Sequence, residues 1–302
     1  MDATLTSNGP HRGNVGPALS DGGPCAGDEY FLLFLHIEKT AGTTLRSIVD
    51  RQYGRDAVLT YYNQPSRQLI DNPPYVLSAA PRKRRALIGH FEFGAHEKLP
   101  LASPYITVLR DPIRRAVSAY HETLKTRPEK LARADGSIMD IEEAMSRYPD
   151  EYRNHQARML TAAPNGIEAD WDCFETARCH IREHFQMVGL SERFIESMLL
   201  LGKQLAWRPC LWGNLNPGPA NPNVAPRIRE ALREANRVDQ MLYDWAEAKF
   251  AEAVDAEGDA FKEAFAELQD ALAARAAAGR SRGDAEIVKD TDLPRVSAYW
   301  RS

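Results

Sequence analysis

The chain has 302 residues, and 43% of them are hydrophobic, which is enough for a full core in one α/β domain with a small appendage. Its formal net charge of −4 argues against a general nucleic-acid-binding protein, because such a protein needs a basic face. The four cysteines are too few for a disulfide framework in a chain of this length and match no zinc-binding spacing. We therefore expect reduced thiols and no bound metal.

The first 28 residues are rich in Gly, Pro, Ser and Asn and have no hydrophobic periodicity, which predicts disorder over residues 1–28. They lack the apolar core of a signal peptide, and no run of the chain approaches the roughly 18 apolar residues of a membrane-spanning helix. We therefore expect no membrane span and a cytoplasmic location.

A strand, a short polar turn and an amphipathic helix are predicted over residues 31–53. The apolar run 31–35 has the length and bulk of a buried parallel strand. Leu45, Ile48 and Val49 then recur at helical spacing, with polar residues between them. This succession points backbone N–H groups and the positive end of a helix dipole at one place, where an anion can bind.

The turn between this strand and helix carries the side chains that an anion-binding loop needs. Lys39 adds a full positive charge, Gly42 lets the backbone approach an anion closely, and the threonines add hydroxyl donors. The loop is not a standard P-loop, because Lys39 precedes Gly42 rather than following the last glycine. We interpret it as a loop that binds phosphate or sulfate.

Further strands and helices alternate along the chain, which predicts a parallel sheet covered on both faces. Gly89-His90 and Arg110 follow predicted strands, as the anion-binding loop does, and ligands of such sheets bind beyond the carboxyl ends of the strands. Asp111 is predicted to cap the helix after Arg110. We expect strands near 57–62, 86–91, 105–109 and 186–190, helices near 226–236, 238–255 and up to 278, and a loose tail from Gly279.

The order Lys-Thr-Ala-Gly-Thr-Thr-Leu after a strand ending in His-Ile resembles the 5′-phosphosulfate loop of sulfotransferases that use PAPS (3′-phosphoadenosine-5′-phosphosulfate). It looks most like carbohydrate sulfotransferases of the heparan 2-O-sulfotransferase type and their bacterial relatives. Those commonly have a proline where this chain has Glu38, which adds a negative charge beside the anion site. The resemblance implies PAPS as the sulfate donor, PAP (3′-phosphoadenosine 5′-phosphate) as its product, transfer without a metal, and a bacterial setting.

A second segment, from Tyr105 to Lys125, also resembles these enzymes. There, an arginine and a serine spaced like Arg110 and Ser118 bind the 3′-phosphate of PAPS, and a guanidinium and a hydroxyl suit a phosphate chemically. The predicted donor-binding residues are Lys39, Thr40, Ala41, Gly42, Thr43, Thr44, Arg110 and Ser118.

Sulfuryl transfer needs a stabilised leaving phosphate and a base for the acceptor hydroxyl. Lys39 is the predicted partner of the leaving group. His90 is the predicted base, because imidazole titrates near neutrality and this histidine follows a strand end. Glu92 and His96 are the alternative bases, and His36, within the first strand, is assigned a structural or supporting role.

These features predict an α/β, P-loop-like three-layer fold with a central, mostly parallel sheet flanked by helices and a helical C-terminal extension. We expect a sulfotransferase domain over 29–256, and a helical extension with a loose tail over 257–302. The predicted activity is transfer of a sulfuryl group from PAPS to a hydroxyl of a carbohydrate or glycoconjugate. One alternative is a catalytically silent module that binds PAPS or another adenine nucleotide. The other is an ATP-dependent kinase, in which Asp111 would hold Mg²⁺.

Overall fold

The computed structural model describes residues 30–62, 85–99, 102–162, 169–213, 224–280 and 285–302. The predicted disordered segment 1–28 lies outside the described residues. So do residues 63–84, which include the basic residues Arg82, Lys83 and Arg84, and residues 214–223, a segment rich in Pro and Asn. No helix within the described part of the chain is long and apolar enough to cross a membrane.

A five-stranded parallel sheet forms the centre of the structure. Its strands are β1 (Leu32–Leu35), β2 (Val58–Tyr61), β3 (Ala86–Gly89), β4 (Tyr105–Leu109) and β5 (Phe185–Leu190), in the order β2-β3-β1-β4-β5. β1 is central, since Leu33 pairs with Leu87 on one side and with Tyr105 on the other. Every residue of β1, β3, β4 and β5 is buried, as expected for strands covered on both faces. The predicted fold class is confirmed.

Helices cover this sheet. They are α1 (Gly42–Tyr53), α2 (Pro112–Thr126), α3 (Ile141–Arg147), α4 (Pro149–Tyr152), α5 (His155–Thr161), α6 (Trp171–His184), α7 (Phe194–Gln204), α8 (Pro226–Ala235), α9 (Arg237–Ala256), α10 (Gly258–Arg275) and α11 (Pro294–Arg301). Asp111 caps α2 as predicted, because its Oδ1 accepts from the backbone N–H of Arg114 at 2.8 Å, and Pro112 occupies the first helical position. One continuous core joins the sheet with α1, α6, α7, α9, α10 and α11, and a smaller one joins α2, α3 and α8.

The prediction of a loose tail after Gly279 is wrong for residues 285–302. A short strand β7 (Glu286–Ile287) pairs antiparallel with β6 (Cys210–Leu211), and α11 follows. Val296, Tyr299 and Trp300 lie three and four residues apart, so one face of α11 is apolar and packs into the main core. The indole N–H of Trp300 donates to the carbonyl of Leu199 at 2.8 Å, which attaches this end of the chain to α7.

Candidate active site

Three predicted site residues lie at the carboxyl edge of the sheet. Lys39 follows β1, His90 follows β3 and Arg110 follows β4. The guanidinium Nη1 of Arg110 donates to the backbone carbonyl of Lys39 at 3.0 Å, so the two predicted phosphate-binding segments are in direct contact. His90 Nδ1 lies 3.1 Å from Oε1 of Glu38, which joins the third strand end to the same loop.

The loop from Glu38 to Ala41 has an unusual backbone. Lys39 and Ala41 adopt the left-handed region, with φ of 70° and 68°, although neither is glycine. The hydroxyl of Thr40 donates to the carbonyl of Ile37 at 2.8 Å, so it braces the loop instead of pointing a donor at an anion. Thr40 can therefore serve an anion through its backbone N–H, and the expected role for its hydroxyl is corrected. α1 begins directly after Ala41, so the N–H groups of Gly42 and Thr43 open the helix, whereas that of Thr44 donates to the carbonyl of Ala41 at 3.1 Å.

Gly42 is required by a neighbouring ring as well as by the loop. A Cβ at this position would lie 1.9 Å from Cδ2 of His36, so no side chain fits unless the imidazole moves. His36 is buried, stacks on Phe34, and its Nδ1 lies 3.0 Å from the hydroxyl of Tyr62. Burial, followed by the neighbouring charge of His90, lowers the pKa of His36 from 6.5 to about 3. His36 is thus neutral and supports the loop from beneath.

Both predicted donor-binding cations face carboxylates. Lys39 Nζ lies 3.2 Å from Oε2 of Glu122 on α2. Arg110 Nε lies 4.0 Å from Oε1 of Glu192, whose other oxygen accepts from the Tyr243 hydroxyl at 3.0 Å. Burial raises the pKa of Glu192, although the Tyr243 hydrogen bond and Arg110 oppose that shift. Both cations at this edge of the sheet therefore already face carboxylate oxygens.

Ser118 lies on α2, about 9 Å along the helix axis from Pro112. It precedes Glu122 by four residues and so shares the helix face that contacts Lys39. Its role in donor binding stays a prediction, and no hydrogen bond links it to Arg110 within the described residues.

The alternative bases are less well placed than His90. The side chain of His90 is 28% exposed, and its ring packs edge-on against His36 and Tyr62. Glu92 is buried, at 6% exposure. His96 is held by the Tyr105 hydroxyl, 3.0 Å from its Nδ1, and its ring packs against His184. Burial, followed by the charge of His184, lowers the pKa of His96.

Sequence reasoning missed two residues of the site. Oε2 of Glu38 lies 2.7 Å from Nε2 of His155, at the start of α5, while Oε1 faces His90. Burial would raise the pKa of Glu38, but the charge and hydrogen bond of His155, with those of His90, hold that pKa well below its usual range. The sequence marks Glu38 only as a departure from the proline of the enzymes it resembles, and it indicates no role for His155. Glu38 and His155 are 117 positions apart in the chain, which explains why no local pattern could join them.

The candidate Mg²⁺ ligand of the kinase alternative is used structurally. Asp111 Oδ1 accepts the N–H of Arg114, as described for the α2 cap. Within the described residues, no group of three or more His, Cys, Asp or Glu side chains is arranged to hold a metal ion.

Comparison with known proteins decides the family. The sequence model of the galactose-3-O-sulfotransferase family matches residues 1–291. The chain belongs to the galactose-3-O-sulfotransferase family. The predicted carbohydrate sulfotransferase family is thereby confirmed, while the finer resemblance to the heparan 2-O-sulfotransferase type is corrected. The loop that carried this resemblance is short, and eight or so residues are too few to separate branches of carbohydrate sulfotransferases.

Several known sulfotransferases are similar to this chain. Galactosylceramide sulfotransferase of Bos taurus is 30% identical over 250 residues, covering 75% of this chain and 58% of that protein. Galactose-3-O-sulfotransferase 3 of Homo sapiens is 28% identical over 242 residues, covering 72% of this chain and 55% of that protein. The chain thus spans less than two thirds of the length of these relatives. Among solved structures, a sulfotransferase from Alicyclobacillus acidocaldarius aligns with 74% of this chain and 97% of its own, at 14% identity and a TM-score of 0.40.

Proposed function

We propose that the protein transfers a sulfuryl group from PAPS to a hydroxyl group of a galactose-bearing saccharide or glycolipid. The family assignment and the names of the relatives support this acceptor class. The same assignment supports the predicted sulfate donor, for which the chain offers an anion-binding loop and an adjacent arginine.

The contact between Arg110 and Lys39 carries the proposal. The guanidinium of Arg110 reaches the carbonyl of Lys39 at 3.0 Å, so a phosphate bound by the loop and a phosphate bound by Arg110 would belong to one small molecule. PAPS has anionic groups at its 5′ and 3′ positions, which matches this pairing. The carboxylates of Glu122 and Glu192 support the proposal further. Their contacts with Lys39 and Arg110 indicate that these two cations can stabilise the negative oxygens of a ligand.

Each of the two proposed catalytic residues has one task. PAPS supplies the activated sulfuryl group. Lys39 neutralises the charge that develops on the phosphate oxygen as the bond between that oxygen and sulfur breaks. His90 accepts the proton of the acceptor hydroxyl as its oxygen bonds to sulfur. The products are the sulfated acceptor and PAP.

Binding of PAP, measured by calorimetry with ATP as competitor, tests the donor site. Arg110→Ala should weaken PAP binding by about 1.5–3 kcal/mol, the scale of a charge-assisted hydrogen bond, and Lys39→Ala should weaken it as well. Arg233→Ala is the matched control, because Arg233 is an exposed arginine of α8 that pairs only with Glu230 in the described structure. Tight ATP–Mg²⁺ binding without preference for a 3′-phosphate would reject the sulfotransferase proposal and favour the kinase.

Turnover separates the enzyme from a silent binding module. With PAPS and galactosylceramide or a galactose-terminated oligosaccharide, the wild type should form a sulfated product, whereas His90→Ala should bind PAP normally and lose turnover. PAP binding without sulfation of any such acceptor would favour the silent module. The cytoplasmic location and the bacterial setting expected from the sequence stay predictions, and fractionation of the cells that make the protein tests the location.

A further inference from the structure

Glu38 lies between two histidines at the centre of the candidate site. Its Oε1 is 3.1 Å from Nδ1 of His90, and its Oε2 is 2.7 Å from Nε2 of His155. The residue directly precedes Lys39 on the loop, so these contacts occur beside the proposed position of the transferred group. A carboxylate there needs an explanation, because an uncompensated negative charge would repel an anionic donor.

The hydrogen bonds of His155 indicate its protonation state. Nδ1 lies 2.9 Å from the backbone carbonyl of Asp150, and a carbonyl can only accept, so Nδ1 carries a hydrogen. Nε2 faces the carboxylate of Glu38, which also only accepts, so Nε2 carries a hydrogen too. An imidazole with both hydrogens is a cation. Glu38 compensates this charge by direct contact, and the buried Asp239 also interacts electrostatically with His155.

The same reasoning about donors and acceptors applies to the hydrogen positions of His90. Oε1 of Glu38 accepts a hydrogen from Nδ1 of His90, so a neutral imidazole at this position has its lone pair on Nε2. Within the described residues, Nε2 of His90 has no hydrogen-bond partner, and the side chain is partly exposed at the sheet edge. Nε2 is therefore the nitrogen available to an incoming hydroxyl group.

We propose that Glu38, held in place by the His155 imidazolium, is a positioning residue that fixes His90 in the tautomer with its hydrogen on Nδ1. The proposal rests on the proposed function, in which His90 is the base. The acceptor's proton moves to Nε2, and His90 becomes an imidazolium that faces the Glu38 carboxylate until the proton passes to water. Because His155 balances Glu38, the arrangement adds no net negative charge beside the donor.

Nitrogen-15 NMR of histidine-labelled protein at neutral pH tests the proposal without any turnover. His90→Gln and His155→Gln assign the two sets of ring signals. In the wild type, His90 should carry hydrogen on Nδ1 and a lone pair on Nε2, and His155 should carry hydrogen on both nitrogens. A wild-type His90 with its hydrogen on Nε2, or a neutral His155, would overturn the proposal whatever the variants do.

Variants of Glu38 extend this test to catalysis. Glu38→Gln should release His155 from its imidazolium form and allow His90 to populate the tautomer with hydrogen on Nε2. Its kcat should fall by about 10²-fold or more, since general-base catalysis contributes about 10²–10⁴-fold, and the KM for PAPS should change little. Glu97→Gln is the matched control, because Glu97 is exposed in the loop after β3.

The outcomes separate the two proposals. The expected tautomers in a protein that binds no PAP would reject the proposed function and leave the Glu38 geometry intact. Sulfation with an unchanged His90 tautomer and unchanged kcat in Glu38→Gln would reject the positioning role alone.

Discussion

Gln156 forms two hydrogen bonds with the backbone of Arg110 through its side-chain amide. The N–H of Arg110 donates to Oε1 at 2.9 Å, and Nε2 donates to the carbonyl of Arg110 at 2.9 Å. Gln156 is fully buried, and its own N–H donates to Oδ2 of the buried Asp239 at 3.1 Å. The side-chain amide of Gln156 therefore pairs with the backbone of Arg110 as a neighbouring strand would, and it connects Arg110 to α5 and α9.

Gln156→Ala should weaken PAP binding although the side chain does not face the proposed ligand. The substitution leaves two backbone groups of Arg110 without partners, which allows the guanidinium to leave Lys39. We expect the Kd for PAP to rise about tenfold, the effect of one typical hydrogen bond of 1.4 kcal/mol. Calorimetry measures it. The control is Gln240→Ala, which removes an exposed pair with Asp244 on α9; equal affinities in the two variants would contradict the role of Gln156.

Gly42→Ala should damage both stability and donor binding. The new methyl group would lie 1.9 Å from the ring of His36, which is held by Tyr62 and cannot move freely. Overpacking of a buried site costs about 1–3 kcal/mol. Urea unfolding measures the first effect and PAP calorimetry the second. His36→Ala combined with Gly42→Ala should recover much of the lost stability, and a double variant as unstable as the sum of the two single variants would reject the steric explanation.

The contribution of His36 to stability should fall as pH decreases below about 6.5. The pKa of His36 is about 3 in the folded state against 6.5 ordinarily, so the unfolded chain binds more protons between these values. A group of this kind contributes stability above its unfolded pKa and loses it as pH falls toward its folded pKa. The slope approaches about 1.4 kcal/mol per pH unit for one proton.

Urea unfolding of the wild type and His36→Gln, between about pH 5 and pH 6.5, isolates this contribution. This range avoids Glu38, whose lowered pKa has the same sign but acts below 4.5. His96 and His184, whose pKa values burial also lowers, contribute equally in both proteins. The variant should show the shallower slope. Parallel curves would mean that His36 does not titrate as its burial implies.

Trp300→Ala should destabilise the fold by about 3–5 kcal/mol, the range for a buried aromatic side chain. The indole fills the space over Gly202, where a Cβ would lie 2.2 Å from it, and its N–H bonds to Leu199. Denaturant unfolding measures the loss. The neighbouring Arg301→Ala is the control, since Arg301 is exposed and pairs with the exposed Asp290, and it should change stability by less than about 0.5 kcal/mol.

Local chemistry made most of the sheet and the anion-binding loop predictable. Strand, turn and helix after residue 31 follow from hydrophobic period and small residues, and the Asp111 cap follows from the residue type. The order of the strands in the sheet could be known only from the structure. The sequence does not indicate the docking of α11, because this helix has few apolar positions. Their burial is evident only once the main core against which they pack is known.

The parts of the site that the sequence did not indicate depend on distant contacts. Gln156 meets Arg110 across 46 residues, and His155 meets Glu38 across 117. Neither glutamine nor histidine in a short helix signals such a role by its neighbours. Likewise, the hydroxyl of Thr40 was expected to face an anion, and only the turn geometry shows that the carbonyl of Ile37 receives it.

The packing of His36 on Gly42 also limits how this loop can diverge in evolution. A homologue with any side chain at position 42 must replace the ring at position 36 with a smaller or more flexible residue, because both cannot occupy the same volume. We therefore expect substitutions at the two positions to occur together among related sequences. Loops of this family should then fall into two groups. One group has an aromatic ring at position 36 and glycine at position 42, and the other has a side chain at position 42 and a smaller residue at position 36.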